Sequence, residues 1–336
     1  SSPSCCSGDK ITGIEMNNRF FQLDNGNGLK GTFSSFGAGV RSLTLKGRPL
    51  ILTIKDDEVY FSQNQFYGKT LGRVAGRVPD EVLIDGKYYS LPGDGQHICL
   101  HAGYTSSLSF KEFKGEEFEN DEEKGIVFTY LSKDGENGFP GNLLVHVYYS
   151  FLKNGKNDFR IRLNAVSDKD TLVSLSNHRY WLFPDSKDVS SYHLQVKAKR
   201  IGRFRKGTEL VVGREEIPSY LDFNDNPNLG KKLDERKKEI PEIGTLDHTY
   251  LLKEGEERIV VEDEHYRLKV DTDFEAVNFY VDTSRTPIDF SNSEELRTKD
   301  RRGIAIEPET FPLRSNLVLV KGKLYSHEMV YHIEEK

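Results

Sequence analysis

The alternation of apolar and polar residues at every second position is the feature that most constrains how this chain folds. In residues 159–165, apolar side chains alternate with Arg160, Arg162 and Asn164. Such a pattern buries one face of a β-strand and exposes the other. A strand-like run at residues 143–152 precedes it, and the intervening Asn154-Gly155 is typical of hairpin turns. The two runs therefore predict an antiparallel hairpin.

Similar short runs recur along the chain, at residues 20–23, 39–45, 126–131, 173–175, 193–196, 258–261, 266–270, 277–281 and 316–320. No Pro- or Gly-rich linker divides them, and no repeat of about 20–50 residues indicates a solenoid or a propeller. We predict an all-β fold, a large antiparallel β-sandwich with very little helix. It is expected to form a single domain over residues 1–336, in which residues 1–9 are a flexible terminal segment.

Helical patterns are scarce. Ser291 followed by Glu294 fits a capping box, so a turn or two of helix is predicted at residues 293–299. The charged runs at residues 111–124 and 231–239 predict exposed loops or edge segments, because a solvated face is the ordinary explanation for such runs.

The charge balance argues against a nucleic-acid partner. The formal net charge is -6, whereas nucleic-acid-binding proteins usually carry clustered positive charge. One short basic run is present, and we interpret it as solvated surface, with an anion site as the alternative; it consists of Lys199, Arg200, Arg203, Arg205 and Lys206.

We expect a cytoplasmic protein that does not enter a membrane. No apolar run approaches the ~20 residues of a membrane-spanning helix, and residues 1–9 lack the apolar core of a secretory signal. The three cysteines, Cys5, Cys6 and Cys99, cannot form a disulfide framework.

A short polar cluster, Asn177, His178, Arg179 and Tyr180, interrupts the apolar, strand-like stretch at residues 171–183. Strand interiors favour β-branched, aliphatic and aromatic residues, so a titratable imidazole there needs a reason. His178 is either a core histidine held by backbone hydrogen bonds or a chemical group. By strand alternation, Arg179 should point away from His178 into a structural pairing.

Glu307 directly follows the apolar residues 304–306. Burial at the end of a strand raises the pKa of a carboxyl group, which suits an acid or a base. The alternative is an edge-strand glutamate paired with an arginine. Glu309, two residues on, could point into the same site or outward.

Two other motifs carry candidate site residues. Arg73 and Arg77 lie four residues apart, which in a strand would place both guanidinium groups on one face. His97, Cys99 and His101 would also share a face, as the ligands of a metal do. Two-residue strand spacing is not a common zinc pattern, so we predict no metal, one functional or structural histidine, and a buried Cys99.

Taken in order, six motifs resemble the aldose 1-epimerase family, which includes galactose mutarotase. They are GRVAGR (residues 72–77), LHAG (100–103), LSNHRYW (175–181), LDHTYLL (246–252), VNFY (277–280) and IEPETFP (306–312). The resemblance extends from about Phe20 onward and implies the galactose mutarotase-like supersandwich. It also implies an isomerase of galactose and hexose metabolism that interconverts the α and β anomers of aldohexoses such as D-galactose and D-glucose, with no cofactor.

The resemblance also implies roles for individual residues. His178 would be the general acid at the ring oxygen, and Glu307 would be the general base at the anomeric hydroxyl. The sugar would be bound by Arg77, His101, Asp247 and Asn278, while Arg73 would be structural. Gly76 stands where many relatives carry Asn, a difference that bears on sugar selectivity.

The small aldose is the expected partner of a monomer or weak homodimer. Two alternatives remain open at this stage. A phosphosugar epimerase of related fold would need an anion pocket, for which Arg200, Arg203 and Arg205 are the visible candidates. A carbohydrate-binding protein without turnover would use Trp181, Tyr180 and Phe279 as stacking platforms.

Overall fold

Antiparallel strands are the main secondary structure of the computed structural model, which describes residues 20–63 and 65–336. The predicted all-β class is therefore confirmed. The terminal segment 1–9, with Cys5 and Cys6, lies outside the described residues. In the part of the chain that is described, no helix combines the length and the apolar character that a membrane crossing requires.

The strands are, in chain order, β1 (Phe20–Asp24), β2 (Leu29–Ser34), β3 (Gly39–Leu45), β4 (Arg48–Pro49), β5 (Thr70–Leu71), β6 (Arg77–Pro79), β7 (Glu81–Ile84), β8 (Lys87–Ser90), β9 (Ile98–Leu100), β10 (Lys114–Glu119), β11 (Glu123–Ser132), β12 (Leu143–Leu152), β13 (Asp158–Ser167), β14 (Thr171–Leu172), β15 (Ser176–Asn177), β16 (Tyr180–Trp181), β17 (His193–Val196), β18 (Ala198–Phe204), β19 (Val211–Glu215), β20 (Asp247–Leu252), β21 (Ile259–Glu262), β22 (Tyr266–Thr272), β23 (Ala276–Val281), β24 (Ile304–Glu309), β25 (Val318–Leu319) and β26 (Tyr325–Glu335). The α-helices are α1 (Asp57–Ser62), α2 (Leu229–Glu239) and α3 (Arg314–Leu317). Short 3₁₀ helices span Tyr104–Ser106, Leu108–Phe110, Glu136–Gly138, Ser219–Leu221 and Glu294–Thr298.

Two large sheets form the predicted sandwich. One has eight strands in the order β10-β11-β12-β13-β26-β22-β21-β17, and the other has six in the order β16-β24-β23-β20-β18-β19. They meet in the core, where Trp181 of β16 stacks on Tyr331 of β26 with ring centroids 5.4 Å apart. The Tyr331 hydroxyl donates to the carbonyl of Ile306 in β24 at 3.4 Å. A four-stranded sheet, β1-β2-β3-β4, adds to the core.

The predicted hairpin and its alternation of buried and exposed residues are confirmed. β12 pairs with β13 from Leu143↔Ser167 to Phe151↔Phe159, so the Asn154-Gly155 turn closes it. Phe159, Ile161 and Leu163 are fully buried. Each such side chain contributes about 1.5–3 kcal/mol when it leaves water. Arg160 and Arg162 lie on the opposite face and pair with Glu123.

The prediction for residues 231–239 was wrong, because they belong to helix α2. Asn228 caps its first turn by accepting a hydrogen bond from the Lys231 N–H at 2.9 Å, and Leu229 and Leu233 are buried. The helix has only this narrow apolar stripe, whereas Lys, Glu and Arg are themselves good helix formers. The charged run was therefore a helix surface.

The predicted capping box was also wrong. The first turn of the 3₁₀ helix Glu294–Thr298 is capped by Ser293, whose hydroxyl accepts from the Glu295 N–H. The Ser291 hydroxyl instead donates to the Thr53 carbonyl at 3.2 Å.

Two stretches that the sequence pattern predicts as continuous strands are interrupted in the structure. Residues 171–183 contain β14, β15 and β16, which belong to three different sheets, and residues 173–175 lie between strands. In residues 316–320, helix α3 extends to Leu317 and only β25 follows. An apolar run shows that a segment is buried but does not show where its backbone changes hydrogen-bond partners.

Arg73 anchors the segment that leads to Arg77. It is 1% exposed and donates to the Ser132 hydroxyl at 2.9 Å and to the carbonyls of Ser132, Lys133, Pro140 and Gly141 at 2.8–3.1 Å. Since β5 ends at Leu71 and β6 begins at Arg77, the two arginines do not lie on one strand. The prediction that they share a face was therefore wrong.

Replacing the buried guanidinium group should destabilise the fold. Arg73→Met leaves four carbonyls without their donor, and each buried unsatisfied group costs about 1–3 kcal/mol. We expect the free energy of unfolding, measured by urea denaturation, to fall by about 3 kcal/mol or more. Arg200→Met is the matched control, because the Arg200 side chain is 47% exposed, and it should change stability by less than about 1 kcal/mol. Equal losses in the two variants would contradict this role of Arg73.

Candidate active site

All six site residues predicted from the sequence line one cavity of about 210 Å³; they are Arg77, His101, His178, Asp247, Asn278 and Glu307. Sites for drug-sized ligands have volumes of roughly 300–1,000 Å³. The cavity therefore suits a small polar molecule.

The floor of the cavity is the face of the six-stranded sheet that points away from the sandwich core. Glu307 of β24 lies opposite Asn278 of β23, and Asn278 lies opposite Thr249 of β20. Their neighbours Ile306 and Phe279 are fully buried in the core. Because successive side chains on a strand point to opposite faces, core packing of the apolar residues directs the polar ones into the cavity.

Loops form the walls, and three wall residues have unusual backbone conformations. Phe66, His101 and Tyr104 line the cavity and have φ values of +63°, +48° and +52°. This left-handed region is uncommon for residues that carry a Cβ, and such residues cluster at functional sites. The Phe66 ring contacts the rings of His101 and His178, with centroids 4.9 and 6.0 Å away.

Glu307 is buried, and one of its carboxyl oxygens has no hydrogen-bond partner among the described residues. It is 1% exposed. Its Oε2 accepts from Asn278 Nδ2 at 3.3 Å, while its Oε1 has no hydrogen-bond partner among the described residues. Burial raises the pKa of Glu307 to about 8, and the negative charge of Asp247 adds to this effect. The edge-strand interpretation is wrong, since β24 lies between β16 and β23 and Glu307 has no arginine partner in the part that is described.

The backbone of His178 is held by Lys69 and Gly68. The His178 N–H donates to the Lys69 carbonyl, and its carbonyl accepts from the Gly68 N–H, both at 2.9 Å. The ring is different: Nδ1 has no hydrogen-bond partner in the described part of the chain, and Nε2 lies 3.7 Å from Glu307 Oε1. His178 is therefore not a core histidine whose ring is satisfied by the backbone.

Burial lowers the pKa of His178 to about 4 and raises that of Glu307 to about 8. Between these two values the pair holds one proton, and that proton lies on Glu307.

A backbone hydrogen bond determines the tautomer of His101. Its Nδ1 accepts from the Gly76 N–H at 2.9 Å, so the neutral ring carries its proton on Nε2. Burial, together with the charge of a protonated His178, lowers the pKa of His101 well below its usual value. The ring therefore offers an N–H donor on the side away from Gly76.

Donor atoms of His101, His178 and Glu307 lie within 4.8 Å of one another, close enough for a metal ion. With Nδ1 of His101 engaged by Gly76 and Nε2 protonated, that ring has no free lone pair for a metal. The other grouping, His97 with Cys99 and His101, does not assemble, because the His97 side chain is 86% exposed and Cys99 is buried among apolar residues.

Asp247 and Arg77 form an ion pair at the cavity wall. Arg77 contacts Asp247 Oδ2 at 3.0 Å and Glu209 Oε2 at 3.1 Å, and Asn278 Nδ2 donates to Asp247 Oδ1 at 3.1 Å. Burial alone would raise the pKa of Asp247, but Arg77 and Asn278 outweigh it and lower the pKa. Burial raises the pKa of Glu209 to about 7 against the opposing effect of Arg77.

Several residues that line the cavity were not predicted from the sequence: Gln65, Phe66, Tyr104, Glu209, Tyr280 and Arg285. Glu209 lies in the loop between β18 and β19, where no motif marks it. Tyr280 alone had a signal, since it alternates with Phe279 on β23 and shares a face with Asn278.

Of the remaining sequence candidates, Glu309 and Tyr180 line the cavity, whereas the arginines of the basic run and two of the proposed stacking residues do not. Arg200, Arg203 and Arg205 do not line it; Arg200 pairs with Glu216, and Arg205 donates to the Gln96 carbonyl at 3.0 Å. Trp181 and Phe279 are fully buried, so neither is available for stacking on a sugar.

Arg179 points away from the cavity, as predicted. It packs 3.8 Å from the centroid of the Tyr331 ring and donates to Asn177 Oδ1 at 2.9 Å. Its structural pairing is thus with an aromatic ring and an amide.

A family model for aldose 1-epimerase matches residues 19–332 of the chain. The galactose mutarotase of Rattus norvegicus is 26% identical over 321 residues, which cover 87% of each protein. The aldose 1-epimerase of Escherichia coli (strain K12) is 27% identical over 313 residues, covering 88% of this chain and 86% of that protein. The bifunctional protein GAL10 of Pachysolen tannophilus is 26% identical, and the match covers 65% of this chain but only 35% of that protein.

Solved structures show the same fold. The galactose 1-epimerase from Lactobacillus acidophilus NCFM superposes with a TM-score of 0.83 at 23% identity, over 94% of both chains. The GalM/aldose epimerase homologue from C. elegans has a TM-score of 0.81 at 23% identity, over 94% of this chain and 98% of that one.

The raised pKa of Glu307 predicts a change of stability with pH. Its folded pKa of about 8 exceeds the unfolded value of about 4.3, so between these values the folded state holds a proton that the unfolded state has lost. The stability that this group contributes therefore falls as pH rises from about 5 to 8. Glu307→Gln removes the effect. The free energy of unfolding of the variant, relative to that of the wild type, should therefore rise by up to about 4 kcal/mol over this range.

Urea denaturation at pH 5 and pH 8 measures this difference. Glu116→Gln is the control, since the Glu116 side chain is 64% exposed and its substitution should shift stability equally at both pH values. A difference between wild type and Glu307→Gln that does not change with pH would contradict the raised pKa.

Proposed function

The chain belongs to the aldose 1-epimerase family, and we propose that it interconverts the α and β anomers of aldohexoses such as D-galactose and D-glucose. One observation carries this proposal: His178 Nε2 and Glu307 Oε1 lie 3.7 Å apart in a small polar cavity, and Glu307 Oε1 has no hydrogen-bond partner among the described residues. A titratable acid and base are thus available to one sugar ring.

Anomer exchange needs one proton removed from O1 and one delivered to the ring oxygen O5. In our proposal Glu307 accepts the proton from the anomeric hydroxyl while His178 gives one to O5, which opens the hemiacetal. The aldehyde then turns about the C1–C2 bond. The same two groups, with their roles reversed, close the ring on the other face of the carbonyl.

The arrangement of protons in the free site suits this exchange. In the complex with the closed sugar, Glu307 is ionised and His178 is protonated. After ring opening, Glu307 holds the proton and His178 is neutral, which is the state that burial favours in the free protein. The cavity therefore stabilises the proton arrangement of the open sugar relative to the buried ion pair.

The other residues would bind the sugar. We propose that the Nε2–H of His101 donates to the ring oxygen. Asp247, Arg77 and Asn278 would hydrogen-bond the hydroxyl groups. Glu209, by holding the second guanidinium nitrogen of Arg77, would keep that side chain in place.

The placement of the arginines does not support the phosphosugar alternative, since Arg200, Arg203 and Arg205 lie outside the cavity and Arg77 is already paired with two carboxyl groups. We further propose a single domain, because cavity residues come from Gln65 through Pro312. The cytoplasmic location and the monomer or weak homodimer stay predictions.

Removing the acid or the base should slow turnover. Glu307→Gln and His178→Gln are each expected to lower kcat by about 10²- to 10⁴-fold, measured as the change in optical rotation of freshly dissolved α-D-galactose and α-D-glucose. His97→Gln and Glu116→Gln, both exposed, should retain wild-type rates.

The same assay tests the proposed function itself. A wild-type protein that accelerates neither sugar would refute the mutarotase activity, and binding without acceleration would favour the sugar-binding alternative. Near wild-type rates in Glu307→Gln or His178→Gln would contradict the catalytic role of the residue that was replaced.

The pH dependence of kcat/KM tests the shifted pKa values. The active pair holds one proton, so activity should persist between about pH 4 and pH 8, the values for His178 and Glu307, and fall outside this range. Groups with ordinary pKa values would instead lose activity above about pH 6.5. Polarimetry from pH 5 to 9.5 separates the two cases, and a decline that begins near pH 6.5 would contradict the shifted values.

A further inference from the structure

A further carboxyl group, that of Glu309, faces the cavity and has no part in the reaction proposed above. It follows Glu307 by two residues on β24 and therefore shares its face of the sheet. Glu309 is 1% exposed, and its Oε2 has no hydrogen-bond partner among the described residues. Buried polar atoms are rarely left without a partner in native proteins, so this oxygen calls for an explanation.

The surroundings of Glu309 favour the uncharged form of its carboxyl group. Burial raises its pKa well above the usual value. The negative charge of Asp247 acts in the same direction, as does that of Glu307 when it is ionised, while Arg77 opposes them only in part. A neutral carboxyl group has one O–H donor and retains acceptor capacity. In this form Glu309 can donate a hydrogen bond, which the ionised Asp247 cannot.

The space beside this carboxyl group is open because residue 76 is glycine. A Cβ at Gly76 would lie 3.5 Å from Glu309 Oε1 and 3.8 Å from the Pro312 Cβ, with no other described residue within 4 Å apart from its neighbours in the chain. The φ value of Gly76 is +86°, a conformation that disfavours a side chain there. Its N–H already donates to His101, so the backbone of Gly76 does not supply a donor to Glu309.

We propose that Glu309 determines sugar specificity. Its carboxyl group would hydrogen-bond one non-anomeric hydroxyl group of the bound aldose. This inference rests on the proposed function and names a contact at the same site. A cavity that hydrogen-bonds a hydroxyl strongly rejects a ligand that lacks it, because the buried polar group is then left unpaired. The favoured substrates are therefore uncharged aldoses that carry the hydroxyl facing Glu309.

The test pairs two Glu309 variants with a series of monodeoxy sugars. Wild type, Glu309→Gln and Glu309→Met are assayed by polarimetry on D-galactose and on its 2-, 3-, 4- and 6-deoxy analogues, with the spontaneous rate of each sugar subtracted. Because an amide can still donate, Glu309→Gln should stay within about threefold of wild type on D-galactose. Glu309→Met should lose about 10- to 100-fold in kcat/KM, chiefly through KM.

One deoxy sugar should respond differently from the rest. For the analogue that lacks the contacted hydroxyl, Glu309→Met and wild type should have equal kcat/KM, because the interaction is already absent. Equal losses of Glu309→Met on all five sugars would overturn the proposal and indicate a structural role. Unchanged activity of Glu309→Met on D-galactose would overturn it as well. Glu116→Met is the matched control and should match wild type on every sugar.

Calorimetric binding of the same sugars separates this proposal from the proposed function. If wild type accelerates no sugar but binds them with the deoxy pattern described, the Glu309 contact stands and the epimerase activity fails. If wild type is an active epimerase and neither binding nor kcat/KM shows the pattern, the activity stands and the Glu309 contact fails.

Discussion

The pairing register between β23 and β24 is the constraint on which the rest of the site depends. It places Glu307 opposite Asn278 and Ile306 opposite Phe279. Because the side-chain period of a strand is two, a slip by one residue would move the carboxyl group into the core and the apolar residues into the cavity. Packing of the apolar face against the eight-stranded sheet therefore specifies the positions of the polar face. The chemistry and the stability of this protein depend on the same alternation.

Burial then shifts the pKa values of Glu307 and His178. A glutamate and a histidine in water would carry opposite charges over only a narrow range of pH. In the cavity, loss of solvent favours the neutral form of both, and a single proton is distributed over a pair whose members lie 3.7 Å apart. Arg77 has the opposite effect on Asp247, which stays ionised through a direct contact. Neighbouring carboxyl groups thus differ in protonation because their partners differ.

Much of the fold and of the candidate site could be predicted from the sequence, and the exceptions have a common physical cause. Alternation within single strands predicted the all-β class, and the family resemblance of six motifs implied the residues that meet in the cavity. Glu209 and Phe66 were missed, because they reach the cavity through loops whose positions are set by contacts distant in sequence. The breaks between β14, β15 and β16 were missed for the same reason. The lowered pKa of His178 also follows from solvent exclusion, which a local motif does not record.

The segment from Arg73 to Arg77 is attached at three points. Arg73 bonds the carbonyls of residues 132–141, the Gly76 N–H holds the His101 ring, and Arg77 pairs with Asp247. Its backbone is therefore ordered before any ligand arrives, and its conformational entropy is lost on folding and not on binding. A sugar that enters finds His101 and Arg77 already oriented, so its association should carry little entropic penalty from this wall of the cavity.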